Sequence, residues 1–257
     1  MSGPVGSPAL HGRGPELELL SATVTAARTG GLQGLLLEGE AGIGKSRLLT
    51  AAGDLARTGD VITIDLHCRE RDHARPFGPI RDALTGSPDG DRINALLAGP
   101  SEDPGLAFRI VDLVVEALAS RSVEHPLLLT VDDLQWADPA TVMALGAVVD
   151  RLADRPIAVV VATRPGIRAA ADLGLGTTHV VGGLDDEAVR DLVASTSGPE
   201  PSPELLATVR RAGGNPLHLT ELVSAVGDDP SLADDPDATL PVRLRQVILR
   251  QLRLGPH

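Results

Sequence analysis

One lysine occurs in this chain, Lys45, although Lys and Arg together number 23. It lies in Gly39-Glu40-Ala41-Gly42-Ile43-Gly44-Lys45-Ser46, the G-x-x-x-x-G-K-[S/T] spacing of a phosphate-binding loop. In such a loop the backbone N–H groups wrap phosphate oxygens, the lysine reaches the β- and γ-phosphates, and the Ser46 hydroxyl is a candidate Mg²⁺ ligand. A compact ammonium fits inside the ring of a tight loop, where a planar guanidinium does not. Gly39 to Ser46, with Arg47 beside them, therefore form the candidate site for a nucleoside triphosphate. The plain competing reading is a glycine-rich turn before a helix.

Two further signals sit at the ends of apolar runs. Leu127-Leu128-Leu129-Thr130-Val131 runs straight into Asp132-Asp133. A carboxylate at that position, Asp132, is a candidate partner of Ser46 in holding Mg²⁺. Asp133 is the candidate for orienting or deprotonating an attacking water. Aspartate is one methylene shorter than glutamate, so slow turnover is expected. Arg164 closes the run Ile157 to Ala162 and is a candidate to sense or stabilise the γ-phosphate. An acid pair in a solvated turn and a loop arginine paired with a surface acid are the alternatives. Trp136 is read as half-buried packing rather than a base-stacking platform. The histidines show no metal-ligand spacing.

These residues need a scaffold that brings strand ends together. Leu32 to Glu38 reads as a strand ending at the loop, and Ser46 to Arg57 as the helix that follows. Val61 to Leu66, Leu127 to Val131 and Ile157 to Ala162 read as further strands, with Val180-Val181 as a fifth. Glu16 to Ala27, Phe108 to Ala119 and a segment from Asp138-Pro139 to about Ala153 read as helices. Residues 67–105 look looser, with one helix at Pro79 to Leu84. Strands alternating with helices specify an α/β fold, a parallel sheet with helices on both faces, and ligands in such sheets bind at the carboxyl ends of the strands. Beyond residue 175 short helices are expected at Asp185 to Ala194, Pro203 to Ala212 and Asn215 to Val226. A linker from Gly227 to Ala238 and a last helix, Pro241 to Leu254, follow. Residues 1–9, rich in Gly, Pro and Ser, are expected to be disordered.

Composition narrows the function. The chain has 257 residues, a net charge of −12 and only three aromatic residues, Phe77, Phe108 and Trp136. The negative field argues against a grip on DNA or an anionic membrane. A single cysteine, Cys68, fits a reducing compartment, and with no signal-peptide pattern and no long apolar run the expected location is cytoplasmic.

Together the motifs resemble the signal-transduction ATPases with numerous domains, the STAND class, as found in large ATP-binding LuxR-type transcriptional regulators with an origin-recognition-like AAA module. Leu10-His11-Gly12-Arg13 is similar to an N-terminal motif of that class, which implies that Arg13 lies at the adenine. Arg75-Pro76-Phe77-Gly78-Pro79, Val131-Asp132-Asp133-Leu134-Gln135-Trp136-Ala137-Asp138 and Thr163-Arg164 resemble its segment after strand two, its Walker B motif and its strand-four sensor. Gly214-Asn215-Pro216-Leu217 resembles the lid motif whose proline, here Pro216, packs on the nucleotide. Gly14 and Gln135 depart from the class, which usually has Glu and His there. The resemblance implies a P-loop NTPase core over residues 13–175, preceded by residues 1–12 with the N-terminal motif. It also implies a small helical lid over 176–228, then a linker and the start of a winged helix over 229–257. ATP or ADP with Mg²⁺ are the implied ligands, and self-association or a regulatory protein the implied partners. No residues match a DNA-binding module, so none is carried over, and the chain reads as an isolated or truncated module.

Three functions stay open at this level. One is a slow nucleotide-dependent switch, another an oligomeric AAA-type motor acting on DNA or protein. The third is a small-molecule phosphotransferase, against which the lid motif argues.

Overall fold

The computed structural model describes residues 10–99, 103–198, 201–209 and 212–228. The expected disorder at residues 1–9, the linker from residue 229 and the helix Pro241 to Leu254 lie outside the described residues.

The elements follow in the order α1 (Gly14–Thr29), β1 (Gln33–Glu38), α2 (Lys45–Thr58), β2 (Ile62–His67), α3 (Gly78–Ala83), α4 (Pro88–Leu97) and α5 (Leu106–Glu124). Then come β3 (Leu127–Asp132), α6 (Pro139–Arg151), β4 (Ile157–Thr163), α7 (Arg168–Asp172), β5 (Gly176–Val180), α8 (Asp186–Ser197), α9 (Pro203–Val209) and α10 (Pro216–Asp228). The five strands form one all-parallel sheet in the order β2-β3-β4-β1-β5. Parallel strands need long crossovers, and helices supply them, so the sheet is covered on both faces.

That burial explains the sequence pattern. In β4 all seven residues are buried, and in β3 all but the terminal Asp132. Neither strand alternates, because neither has a solvent face. Leu127, Leu129, Val131, Ile157, Val159 and Val161 pack with Val114, Leu118, Ala144, Leu145 and Val148 from α5 and α6. Each such side chain contributes on the order of 1.5–3 kcal/mol on burial. Leu, Val, Ile and Ala thus build a full core with almost no aromatic residues.

The edges differ from expectation. The fifth strand is not centred on Val180-Val181 but runs Gly176–Val180, and its residues are mostly exposed. It pairs with β1, so residues 176–180 belong with the sheet rather than with the helical lid range of 176–228. Residues 67–99 are more ordered than their composition suggests. A 3-10 turn spans Glu70–Ala74, and α4, which begins at Pro88, is capped by Ser87, whose hydroxyl accepts from the Gly90 amide. Serine as N-cap with proline at the first helical position is a regular helix start.

Two compact units emerge. One comprises Glu16–Glu40 and Lys45–Val181, which holds the sheet. The other gathers the described residues up to Pro15, Ala41–Gly44 and the described residues from Gly182 onward. In the latter, Val189, Leu192, Val193, Leu205, Val209, Leu219, Leu222 and Val223 from α8, α9 and α10 form a small core of their own. No described helix is long and apolar enough to cross a membrane.

Candidate functional site

The glycine loop has the backbone its sequence requires. Gly42 and Gly44 have φ of +78° and +109°, a region that L side chains avoid. A Cβ on Gly42 would also lie 2.6 Å from Leu217 Cβ. The loop leaves β1 at Gly39, whose N–H donates to the Thr163 carbonyl at the end of β4, 3.2 Å away. It enters α2 at Lys45, so the first amides of that helix face the loop and favour an anion there. Lys45 is buried, and its Nζ donates to the carbonyls of Gly39 at 2.8 Å and Glu40 at 2.9 Å. Burial pulls the Lys45 pKa down, while Asp133 and Asp132 act in the opposite direction. Glu40 and Ser46 are exposed, and Arg47 is half-buried.

Three consecutive loop carbonyls are claimed by residues distant in the chain. Ala41 O accepts from Asn215 Nδ2 at 3.0 Å, Gly42 O from Leu217 N at 3.3 Å, and Ile43 O from Arg13 Nη2 at 2.8 Å. All of these residues belong to the unit that carries α8 to α10. A trans peptide holds its C=O and N–H on opposite sides of the bond. With the carbonyls of 41, 42 and 43 tied back, the amides of Gly42, Ile43 and Gly44 point the other way, as a phosphate-binding nest requires. Arg13, expected at the adenine, is buried and donates to the carbonyls of Ile43 and Gly182. Pro216 opens α10 next to Leu217. Nothing in the sequence singles out Asn215 within its motif, because its partner Ala41 is 174 residues away.

The acid pair is built differently. Asp132 ends β3 and Asp133 follows in a left-handed conformation, φ 55° and ψ 48°. Outside glycine, Asp and Asn tolerate that region best. Burial raises the Asp132 pKa, and a hydrogen bond with Ser46 opposes the rise; Asp133 adds to it. One Asp132 oxygen, Oδ1, is buried without a hydrogen-bond partner. A buried carboxylate oxygen with no donor, beside a serine hydroxyl, suits a hard divalent cation. Among the described residues no cluster of three or more His, Cys, Asp and Glu forms a metal cage. Mg²⁺ is commonly held by one or two protein oxygens together with waters and phosphate, so this donor set fits it.

Gln135 joins the acids to β4. Its Nε2 donates to Asp133 Oδ1 at 2.7 Å, while its Oε1 accepts from Thr163 Oγ1 at 3.3 Å and from Arg164 N at 3.2 Å. In the sequence Gln135 stands out only as a departure from a family pattern. Arg164 sits where β4 ends, with its guanidinium carbon 5.8 Å from the centroid of the Trp136 ring. His73 meets the same ring edge-on at 5.6 Å. Trp136 is half-buried against the core, as expected.

Asp138 is the scaffold's fastening. It is buried, and its Oδ1 accepts from the amides of Phe77, Ala140 and Thr141, each at 3.0 Å. It thereby caps α6 and also holds Phe77, itself left-handed at φ 57° and buried. Two segments singled out in the sequence are thus joined by one carboxylate. Cys68 lies buried near Asp72, Asp133 and Asp132, and burial with these charges pushes its thiol pKa up to about 12.

Residues 9–161 match the family described as AAA ATPase domain. No curated protein sequence matches the chain. Among solved structures, Cdc6p from Pyrobaculum aerophilum is similar at TM-score 0.60 and 16% identity, with 89% of this chain and 65% of that one covered. AMPPCP-bound DnaA from Aquifex aeolicus gives 0.54 and 13%, covering 86% and 63%. The signal transduction ATPase with numerous domains (STAND) protein with a tetratricopeptide repeat sensor from Pyrococcus horikoshii gives 0.52 and 15%, covering 99% and 35%. The chain therefore spans less than two thirds of each of these three proteins, and at such identities the likeness is one of fold.

Proposed function

The chain belongs to the AAA ATPase domain family, and from that premise we propose that it is an ATP-dependent switch with slow hydrolysis, serving a signal-transduction or transcription regulator. It is a nucleotide-binding ATPase module. ATP or ADP sits on Gly39 to Arg47, with Lys45 against the β- and γ-phosphates. Ser46 and Asp132 would hold Mg²⁺, which would supply charge neutralisation on the phosphate oxygens. Asp133 orients the attacking water and accepts its proton, and Arg164 supplies positive charge near the γ-phosphate.

The observation that carries the switch reading is the tethering of carbonyls 41, 42 and 43 by Asn215, Leu217 and Arg13. A ligand that orders the loop's amides acts directly on the segment those residues hold, and Pro216 lies between two of its holders, Asn215 and Leu217. ATP and ADP then bias the helical unit through their differential contacts with the loop. Partners of this kind of module are a second copy or a regulatory protein.

The test is Mg²⁺-dependent ATP turnover measured across protein concentration. The switch reading expects fewer than about one turnover per minute, as in unassisted nucleotide switches, with no dependence on concentration. Faster turnover that climbs steeply with concentration would replace it by an oligomeric motor.

A further inference from the structure

We propose that Gln135 is a positioning residue for Asp133, fixing its carboxylate to the same strand end that anchors the phosphate loop. The inference rests on the hydrolytic reading given above and deepens it.

Asp133 stands outside the β3 ladder in a left-handed conformation, so the strand itself does not dictate where its carboxylate points. Gln135, two residues on, donates from its Nε2 to that carboxylate at 2.7 Å. The other half of the amide faces β4. Arg164 N–H can only donate, so the atom it meets must be the carbonyl oxygen of Gln135, and the NH₂ group is thereby turned to Asp133. Thr163 strengthens this orientation by donating its hydroxyl to the same oxygen. Thr163 is fully buried, and its carbonyl accepts from the amide of Gly39, the first loop residue.

A continuous path results: Gly39 amide to Thr163 carbonyl, Thr163 hydroxyl to Gln135 oxygen, Gln135 NH₂ to Asp133 carboxylate. The loop that would carry the phosphates and the acid that would act on the water are both referenced to the last residue of β4. A proton acceptor must lie within hydrogen-bond reach of its water, and small misplacements cost much of the rate. A side chain at 135 must therefore donate to one side and accept from the other. Glutamate keeps the acceptor and loses the donor, while methionine keeps the volume and loses both.

The experiment compares wild type, Gln135→Met and Gln135→Glu in steady-state hydrolysis and in equilibrium binding of Mg²⁺·ATP, each also combined with Asp133→Asn. Both single variants should lose about tenfold or more in kcat. Their ATP affinity and thermal midpoint should stay close to wild type. In the Asp133→Asn background, Gln135→Met should change kcat by less than about twofold, because its action passes through Asp133. A wild-type kcat in Gln135→Met, or losses that multiply with Asp133→Asn, overturns the proposal. Should Gln135→Met fail to fold, Gln135→Glu carries the test alone, since it retains the bonds to Thr163 and Arg164; a wild-type kcat there overturns it equally. A wild-type protein that binds ATP but never hydrolyses it removes the hydrolytic reading together with this inference. Hydrolysis that is indifferent to residue 135 removes the inference only.

Discussion

The phosphate loop leaves β1 and the acid pair lies at the end of β3, strands separated by β4, and the two are held by different means. The loop is held through its backbone: positive-φ glycines set its path, and three of its carbonyls accept bonds from Asn215, Leu217 and Arg13. The acid pair is held by side chains: Ser46 on Asp132, Gln135 on Asp133. A backbone-held site tolerates changes in most of its own side chains and depends on a few glycines, the Lys45 cation and the donors that reach its carbonyls. A side-chain-held site depends on every member of its network. The difference implies that binding and hydrolysis can be lost separately.

The largest expected effect falls on the loop. Lys45→Ala should weaken ATP binding by about a hundredfold or more, roughly 2.7 kcal/mol, as measured by calorimetry. Unaltered affinity would dissolve the loop's half of the comparison. Next comes Asp133→Asn, expected to lower kcat by about a hundredfold while leaving affinity in place. If binding falls along with turnover, the two regions are not separable after all. Asn215→Ala should then weaken ATP binding by about tenfold, through loss of the bond that turns the Ala41 carbonyl away from the amide nest. An equal loss for hydrolysis at saturating ATP would show that the tether acts on more than the loop.

A smaller effect concerns stability. Burial raises the Asp132 pKa, so the folded chain binds that proton more tightly than the unfolded chain. The stabilisation from the proton is present below the ordinary carboxylate pKa and is lost as pH rises through the raised folded value. Asp132→Asn should therefore raise the melting temperature of the ligand-free protein at neutral pH, by about 2–4 °C per kcal/mol relieved, with the two proteins converging in acid. An unchanged or lower midpoint at neutral pH would mean that the carboxylate is better satisfied than its partnerless Oδ1 indicates. Smallest is the behaviour of Cys68. With its thiol pKa at about 12 and the side chain buried, alkylation of the folded protein at pH 8 should be negligible and should appear only on unfolding. Prompt labelling would show that this corner beside the acids opens readily.

The same contrast explains what could be read from the sequence. The loop lies within eight consecutive residues whose spacing alone carries its chemistry, and β3 and β4 announce themselves as unbroken apolar runs because both their faces are covered. Helix α4 is hard to see because its first half, Pro88-Asp89-Gly90-Asp91, reads as a turn, and its apolar stripe is confined to Ile93, Leu96 and Leu97. Strand β5, Gly-Thr-Thr-His-Val, is an exposed edge held by ladder bonds to β1 rather than by apolar burial, so hydrophobicity could not place it. The roles of Gln135 and Asn215, both present within family motifs, are unreadable in the sequence for another reason. Their partners, Arg164 and Ala41, are 29 and 174 residues away, and only the folded sheet and loop reveal why an amide is needed at either place.

The central claim is that the amides of Gly42, Ile43 and Gly44 face a bound phosphate. Hydrogen exchange of the peptides covering the loop, with and without saturating Mg²⁺·ATP, tests it most directly. The account predicts strong ATP-dependent protection of these amides that is absent in Lys45→Ala. Exchange that ATP leaves unchanged at all three, in a protein shown by calorimetry to be saturated, would contradict it.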